Sequence, residues 1–166
     1  TELIIHPRVL KDFYKYNVRM NAFKEGFEKS RHSVCYNGDI FRRKDYDRLV
    51  KEYPDLDKIM MGRGIMMNPF LMEEIADGTS QKVSGKMSAA RKADRLEKFH
   101  RLLCDGYTHV MSGDRPVLFK MKELWGFLIH SCPEEEKLMK KIRKAQHLAE
   151  YEGVVSELFC RMREHE

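Results

Sequence analysis

Residues 33–39, SVCYNGD, decide the fold class of this chain of 166 residues. The first four form a short apolar run typical of a buried strand, and the NGD that follows is a glycine-containing loop. The same order recurs at residues 58–64, where the apolar run KIMM leads into GRG. Two strands that each end in a glycine loop indicate consecutive β-α units.

A third strand is predicted at residues 3–5 (LII), and helical segments lie between the strands. Apolar residues recur at helical spacing in residues 23–29 and 46–53. A further helix is expected after the last strand, with Asn68-Pro69 at its start and Gly78 at its end. Strands separated by single helices favour right-handed crossovers, so we predict a parallel sheet.

Residues 79–90 are small and polar, and they predict a boundary between domains at residues 1–80 and 81–166. Beyond this boundary only helical periodicity remains, and we expect four helices that form a small bundle. The third of these helices is expected to open at Pro133 and to close near Lys144. The apolar stripe predicted for the first helix consists of Leu96, Phe99, Leu103, Tyr107 and Val110.

The composition, 42% apolar and 34% charged, is typical of a soluble globular protein. No apolar run approaches the roughly 18 residues of a membrane span and no signal peptide is recognisable, so we expect a cytoplasmic protein with no membrane partner. The four cysteines form no C-x-x-C pair, which indicates neither a metal site nor a disulfide framework. The net charge of +5, with its excess in the second half, is a mild indication of a polyanionic partner.

The two glycine loops form the candidate binding site. In a (β/α)8 barrel, the loops after the last strands often bind phosphate, because glycine lets backbone N–H groups approach the anion. Arg63 would add a charge-assisted contact, and His6 would lie at the same rim because it ends the first strand. Tight turns explain the glycines equally well, and a structural hydrogen bond would explain His6, so both interpretations stay open at this point.

Four motifs, in order and spacing, resemble the sixth to eighth β-α units of tRNA-dihydrouridine synthases. They are residues 4–8 (IIHPR), 35–40 (CYNGDI), 59–65 (IMMGRGI) and 68–69 (NP). Residues 113–125 (GDRPVLFKMKELW) resemble the helical part of the same family, so the resemblance covers essentially the whole chain. It implies the last part of a TIM barrel that binds FMN, followed by a helical domain that binds tRNA.

The resemblance also implies a reaction, the reduction of uridine in tRNA by FMN with NADPH as the reductant. The family often has His-x-Arg-Thr at its sixth strand, whereas this chain has HPRV, so the hydroxyl contact of that threonine is missing. The resemblance assigns no role to Arg8. Carried over by position, the residues that contact FMN are His6, Asn37, Gly38, Asp39, Gly62 and Arg63.

No catalytic residue is assigned, because the proton-donating cysteine of the family belongs to the first half of the barrel, which has no counterpart here. The missing half and the open sheet edges predict that this chain alone is inactive, marginal as a monomer and able to associate through those edges. Contacts to tRNA are expected from the basic helical domain, at Lys120, Lys122, Arg143 and Lys144. Two alternatives remain: an RNA-binding module without catalysis, and another TIM-barrel oxidoreductase that binds FMN or a phosphate.

Overall fold

Three short parallel strands form the sheet in a computed structural model that describes residues 1–12, 14–79 and 87–164. Strand β1 is Glu2–Ile5, β2 is Ser33–Tyr36 and β3 is Lys58–Ile59, in the order β1-β2-β3. All pairs are parallel, so the predicted parallel sheet is confirmed. Strand β3 has two residues rather than the expected four, although the Met60 N–H still donates to the Tyr36 carbonyl at 2.8 Å.

Four helices accompany the sheet: α1 is Met20–Lys29, α2 is Arg43–Glu52, α3 is Arg63–Met67 and α4 is Leu71–Thr79. The short helix α3 was not predicted, because its GRG start resembles a simple loop. The expected helix start at Asn68-Pro69 is wrong by two residues. Asn68 ends α3, and its side-chain oxygen accepts a hydrogen bond from the Phe70 N–H at 3.1 Å, so α4 begins only at Leu71.

An aromatic cluster forms the core beneath the sheet. Phe23 is fully buried and meets Tyr36 and Tyr53 edge to face, with ring centroids 4.8 and 5.1 Å apart. Strand β1, in contrast, leaves Leu3 and Ile4 42% and 47% exposed. The expectation that residues 3–5 are buried is therefore wrong for these two. Successive side chains of a strand point to opposite faces, so the described residues leave both faces of β1 partly uncovered here.

The chain divides into two compact units, Thr1–Gln81 and Lys82–Glu166. Of the predicted linker, residues 80–86 lie outside the described residues. The second unit contains α5, Ala89–Val110; α6, Asp114–Leu128; α7, Glu136–Lys144; and α8, Leu148–Glu164. The helix expected from Pro133 opens as a 3-10 turn, Pro133–Glu135, before α7.

A hydrogen-bonded aromatic network lies in the core of the second unit. Trp125 Nε1 donates to the Tyr151 hydroxyl at 2.8 Å, and that hydroxyl lies 2.5 Å from His100 Nε2. The predicted stripe on α5 is wrong at Phe99 and Val110, which are 41% and 78% exposed. Successive steps of three, four and four residues define the buried face instead, namely Ala93, Leu96, His100 and Cys104.

Of the four cysteines, Cys35, Cys104 and Cys132 are buried and Cys160 is exposed, and all four are free thiols. In the part of the chain that the structure describes, no helix is both long enough and apolar enough to cross a bilayer.

Candidate anion site at the carboxyl edge of the sheet

The loops that follow β2 and β3 meet at one edge of the sheet. They border a partly open cavity of about 130 Å³ that is also lined by Tyr14, Phe41 and Gly64. The structure brings all six residues predicted for the cofactor to this cavity: His6, Asn37, Gly38, Asp39, Gly62 and Arg63.

The carboxylate of Asp39 lies between two arginines. Its Oδ1 accepts hydrogen bonds from Arg8 Nη1 at 3.0 Å and from Arg63 Nη2 at 2.6 Å, and its Oδ2 accepts from Arg8 Nη2. A carboxylate that only accepts hydrogen bonds cannot itself hold an anion. The side chain of Asp39 therefore orients the arginines, and an anion in the cavity would face Arg63.

Arg8 is held from two sides. Its Nε and Nη2 donate to the Tyr16 carbonyl oxygen at 3.2 and 2.9 Å, in addition to the pair with Asp39. The hydrogen bond that Arg8 donates to Asp39 is the main cause that raises the pKa of Arg8. Only 4% of its side chain is exposed, so Arg8 supports the cavity wall from behind.

Arg63 is the cation that faces the cavity. Its guanidinium carbon lies 4.0 Å from the ring centroid of Tyr14 and 5.4 Å from that of Phe41, within cation-π range of both. Its side chain is 30% exposed, and within the described residues only its Nη2 makes a hydrogen bond, to Asp39. A guanidinium has five N–H donors, so the described residues leave others available. Tyr14 reaches this position with a φ of 61°, which is unusual for a residue with a side chain.

His6 presents one ring nitrogen to the rim. Its Nδ1 makes a short hydrogen bond to the carbonyl oxygen of Asn37, and because a carbonyl only accepts, Nδ1 carries the proton. In the neutral ring, Nε2 is then an acceptor. The Asn37 N–H is also committed, since it donates to the Ile5 carbonyl at 2.9 Å, whereas the Gly38 N–H has no acceptor among the described residues.

Two of the glycines are needed for close packing. A Cβ at Gly38 would lie 2.0 Å from the Tyr36 hydroxyl, and a Cβ at Gly64 would lie 1.9 Å from the Ile40 carbonyl oxygen. A Cβ at Gly62 would meet nothing within 4 Å. The predicted site therefore includes one glycine that packing does not require, and it omits Gly64, which packing does require.

The four basic residues predicted to contact tRNA have different environments. Lys120 Nζ bonds to Glu123 at 3.0 Å, and Lys122 Nζ donates to the carbonyl oxygen of Ala145, just beyond α7. Arg143 and Lys144 are exposed in the last turn of α7, and neither makes an ion pair within the described residues. Of the four, these two have the cationic groups that are most available to a partner.

Besides Phe41 and Gly64, sequence reasoning missed Arg8 and Tyr14 at the site. Arg8 lies two residues after His6, but its partner Asp39 is 31 residues away, and nothing local reveals the pair. Tyr14 lies in an irregular segment between β1 and α1, where no periodicity guides an assignment.

Parallel β-α units with a cationic cavity at the carboxyl ends of their strands define an α/β protein with a candidate anion site, to which a helical unit is joined. More narrowly, the chain belongs to the dihydrouridine synthase family, whose sequence profile matches residues 1–161. It is similar to a tRNA-dihydrouridine(16) synthase of Ralstonia nicotianae (strain ATCC BAA-1114 / GMI1000), with 24% identity over 164 residues. That match covers 96% of this chain and 47% of the relative, so the chain spans about half of the relative's length.

Proposed function

We propose that this chain is the C-terminal part of a tRNA-dihydrouridine synthase, an FMN-dependent, NADPH-driven enzyme that reduces uridine in tRNA. Residues 1–80 would form the last three β-α units of a TIM barrel, and residues 81–166 would form a helical tRNA-binding domain. Membership of the dihydrouridine synthase family supports this proposal, as does the similarity to a tRNA-dihydrouridine(16) synthase over nearly the whole chain.

The observation that carries the proposal is the arginine-lined cavity between the two glycine loops. Ligand pockets for whole small molecules measure roughly 300–1,000 Å³. A cavity of about 130 Å³ fits a phosphate group but not an entire flavin nucleotide. Arg63 and the Gly38 N–H would hold the phosphate of FMN.

The chemistry that bound FMN supplies is hydride transfer to the uracil ring, with NADPH as the reductant. This chain's residues would contribute placement. Arg63 would fix the phosphate by charge-assisted hydrogen bonds, with Tyr14 and Phe41 limiting the tilt of its guanidinium plane. His6, with Nδ1 bound to the Asn37 carbonyl, would offer Nε2 as an acceptor at the rim.

The proton donor for the uracil ring would come from outside this chain. None of the residues described as lining the cavity is a cysteine. Burial raises the pKa of Cys35 and of Cys104, and it raises the pKa of Cys132 to about 12. We accordingly assign no catalytic role to these three thiols or to Cys160.

Binding of FMN and of riboflavin to the same chain tests the proposed phosphate site, because the two flavins differ only in the phosphate. Flavin fluorescence should report tighter binding of FMN than of riboflavin. Arg63→Ala should reduce the ratio of the two affinities about tenfold, because a charge-assisted contact is lost. Arg31→Ala is the matched control, since Arg31 is exposed and precedes β2 at the opposite end of the strand. Equal FMN and riboflavin affinities in the unchanged chain would refute the phosphate site.

A further inference from the structure

A carboxylate in the wall of an anion site needs an explanation. Asp39 lines the cavity, 22% of its side chain is exposed, and its Oδ1 accepts from Arg63 at 2.6 Å. With only these two residues, the opposite charges would cancel and an incoming anion would meet no net positive charge. The electrostatics of the site therefore depend on a third group.

Arg8 is that group. It shares the carboxylate of Asp39 with Arg63, so the three side chains together carry a net charge of +1. Arg8 cannot deliver this charge by direct contact, because it is almost fully buried and does not belong to the residues described as lining the cavity. Its guanidinium is already committed to Asp39 and to the Tyr16 carbonyl.

Arg63 has the complementary properties. It lines the cavity, has N–H donors that no described residue uses, and is restrained by the ring of Tyr14, whose centroid lies 4.0 Å from the guanidinium carbon. When Arg8 neutralises Asp39, the charge of Arg63 is left for a ligand. When Arg8 is absent, Arg63 can form a two-point pair with Asp39, which is the preferred geometry between a guanidinium and a carboxylate.

We infer that Arg8 is a positioning residue that sets the anion affinity of the cavity by compensating the charge of Asp39. It acts on the ligand through Asp39 and Arg63 and does not touch it. This inference rests on the proposed function, since the anion would be the phosphate of FMN.

The test is a charge-rescue series with FMN, riboflavin and inorganic phosphate as the probes, on the full 166-residue chain. Arg8→Ala should weaken FMN and phosphate binding about tenfold, which corresponds to about 1.4 kcal/mol, and should leave riboflavin unchanged. Adding Asp39→Asn to Arg8→Ala restores the net charge of +1 and should recover most of that loss. Arg8→Lys keeps the charge without the planar fork, so its FMN affinity should stay within about threefold of the unchanged chain.

A purely structural role for Arg8 predicts the opposite pattern. The double variant would then be at least as weak as Arg8→Ala, and Arg8→Lys would resemble Arg8→Ala; either result overturns the inference. If circular dichroism shows that Arg8→Ala does not fold, the double variant decides alone. It leaves no carboxylate without its buried Arg8 partner, and the remaining cation, Arg63, has a side chain that is 30% exposed. The double variant must then bind FMN within about threefold of the unchanged chain.

Arg63→Ala separates failure of this inference from failure of the proposed function. If Arg63→Ala abolishes the preference for FMN over riboflavin while the Arg8 variants do not change it, the phosphate site stands and the charge-compensation role is wrong. If neither arginine affects that preference, the proposed phosphate site itself fails.

Discussion

The hydroxyl of Tyr151 is shared by Trp125 and His100 in the core of the helical unit. It accepts the indole N–H, and it lies 2.5 Å from His100 Nε2, to which it donates its own proton when that nitrogen is unprotonated. In this arrangement the imidazole is neutral and Nε2 accepts. His100 is only 6% exposed, and burial lowers its pKa to about 4.

This arrangement predicts that the helical unit loses stability in mild acid. The unfolded chain binds a proton at His100 near pH 6.5, whereas the folded chain binds it only near pH 4. Above about pH 6.5 the titration of His100 therefore does not affect the free energy of unfolding. Between about pH 6.5 and 4 it lowers that free energy by on the order of 1 kcal/mol for each pH unit, because only the unfolded chain binds the proton. Urea unfolding monitored by circular dichroism at several pH values measures it.

His100→Gln removes the titrating group, so this part of the pH dependence should disappear. His147→Gln is the matched control, because His147 is an exposed histidine in the same unit, and the dependence should persist in it. A pH profile that is identical in the unchanged chain and in His100→Gln would show that His100 does not titrate on unfolding.

Gly64→Ala should destabilise the first unit while Gly62→Ala should not. A Cβ at position 64 would lie 1.9 Å from the backbone oxygen of Ile40, and backbone cannot move aside as a flexible side chain can. We expect a cost of about 1–3 kcal/mol for Gly64→Ala, as for other overpacked sites. Thermal unfolding of the two variants side by side makes the comparison, and equal melting temperatures would contradict it.

Arg143 and Lys144 should contribute to tRNA binding more than Lys120 and Lys122 do. The first two are exposed and unpaired within the described residues, whereas Lys120 bonds to Glu123 and Lys122 to the Ala145 carbonyl. Reversing both charges, Arg143→Glu with Lys144→Glu, should weaken tRNA binding. The slope of log affinity against log salt concentration should also become shallower, by the amount that corresponds to the loss of about one to two phosphate contacts. Gel-shift titrations at two salt concentrations provide the measurement.

Charge reversal at Lys24 and Arg31, two exposed positions in the first unit, is the control for that experiment. It changes the net charge of the chain by the same amount. If both double variants lose tRNA affinity equally, the effect is one of overall charge, and the assignment to the end of α7 is wrong.

The 166-residue chain by itself should form no dihydrouridine when it is given tRNA, FMN and NADPH. Its three buried thiols have raised pKa values, and none of the residues described at the cavity is a cysteine. Nucleoside analysis of the treated tRNA measures the product. Dihydrouridine above the level of the same reaction without the protein would mean that one of the four cysteines, or another acid, acts as the proton donor.

Local signals explain what the sequence could predict. The parallel sheet follows from apolar runs that end in glycine loops, and the meeting of those loops follows from the parallel order of the strands. The exposure of Leu3 and Ile4 could not be predicted in this way, because it depends on which neighbours β1 has. Helix α3 was missed because only five residues form it, too few to show a period.

The paired side chains needed information that no short window contains. Arg8 and Asp39 are 31 residues apart, and His100 and Tyr151 are 51 residues apart. A histidine on the buried face of α5 contradicts simple hydrophobic patterning, and it is tolerated there because Tyr151 satisfies its ring nitrogen. Such pairs emerge from the three-dimensional arrangement rather than from periodicity.

The sharing of Asp39 by Arg8 and Arg63 also constrains how this site can change over generations. Loss of the acid alone leaves two adjacent arginines that repel each other, and loss of Arg8 alone leaves a site without net charge. Substitutions at positions 8 and 39 should consequently appear together in related chains, while position 63 should vary only where the ligand's anionic group is recognised differently. Either single change should impair anion binding until the second change follows, so the two positions should evolve as a pair.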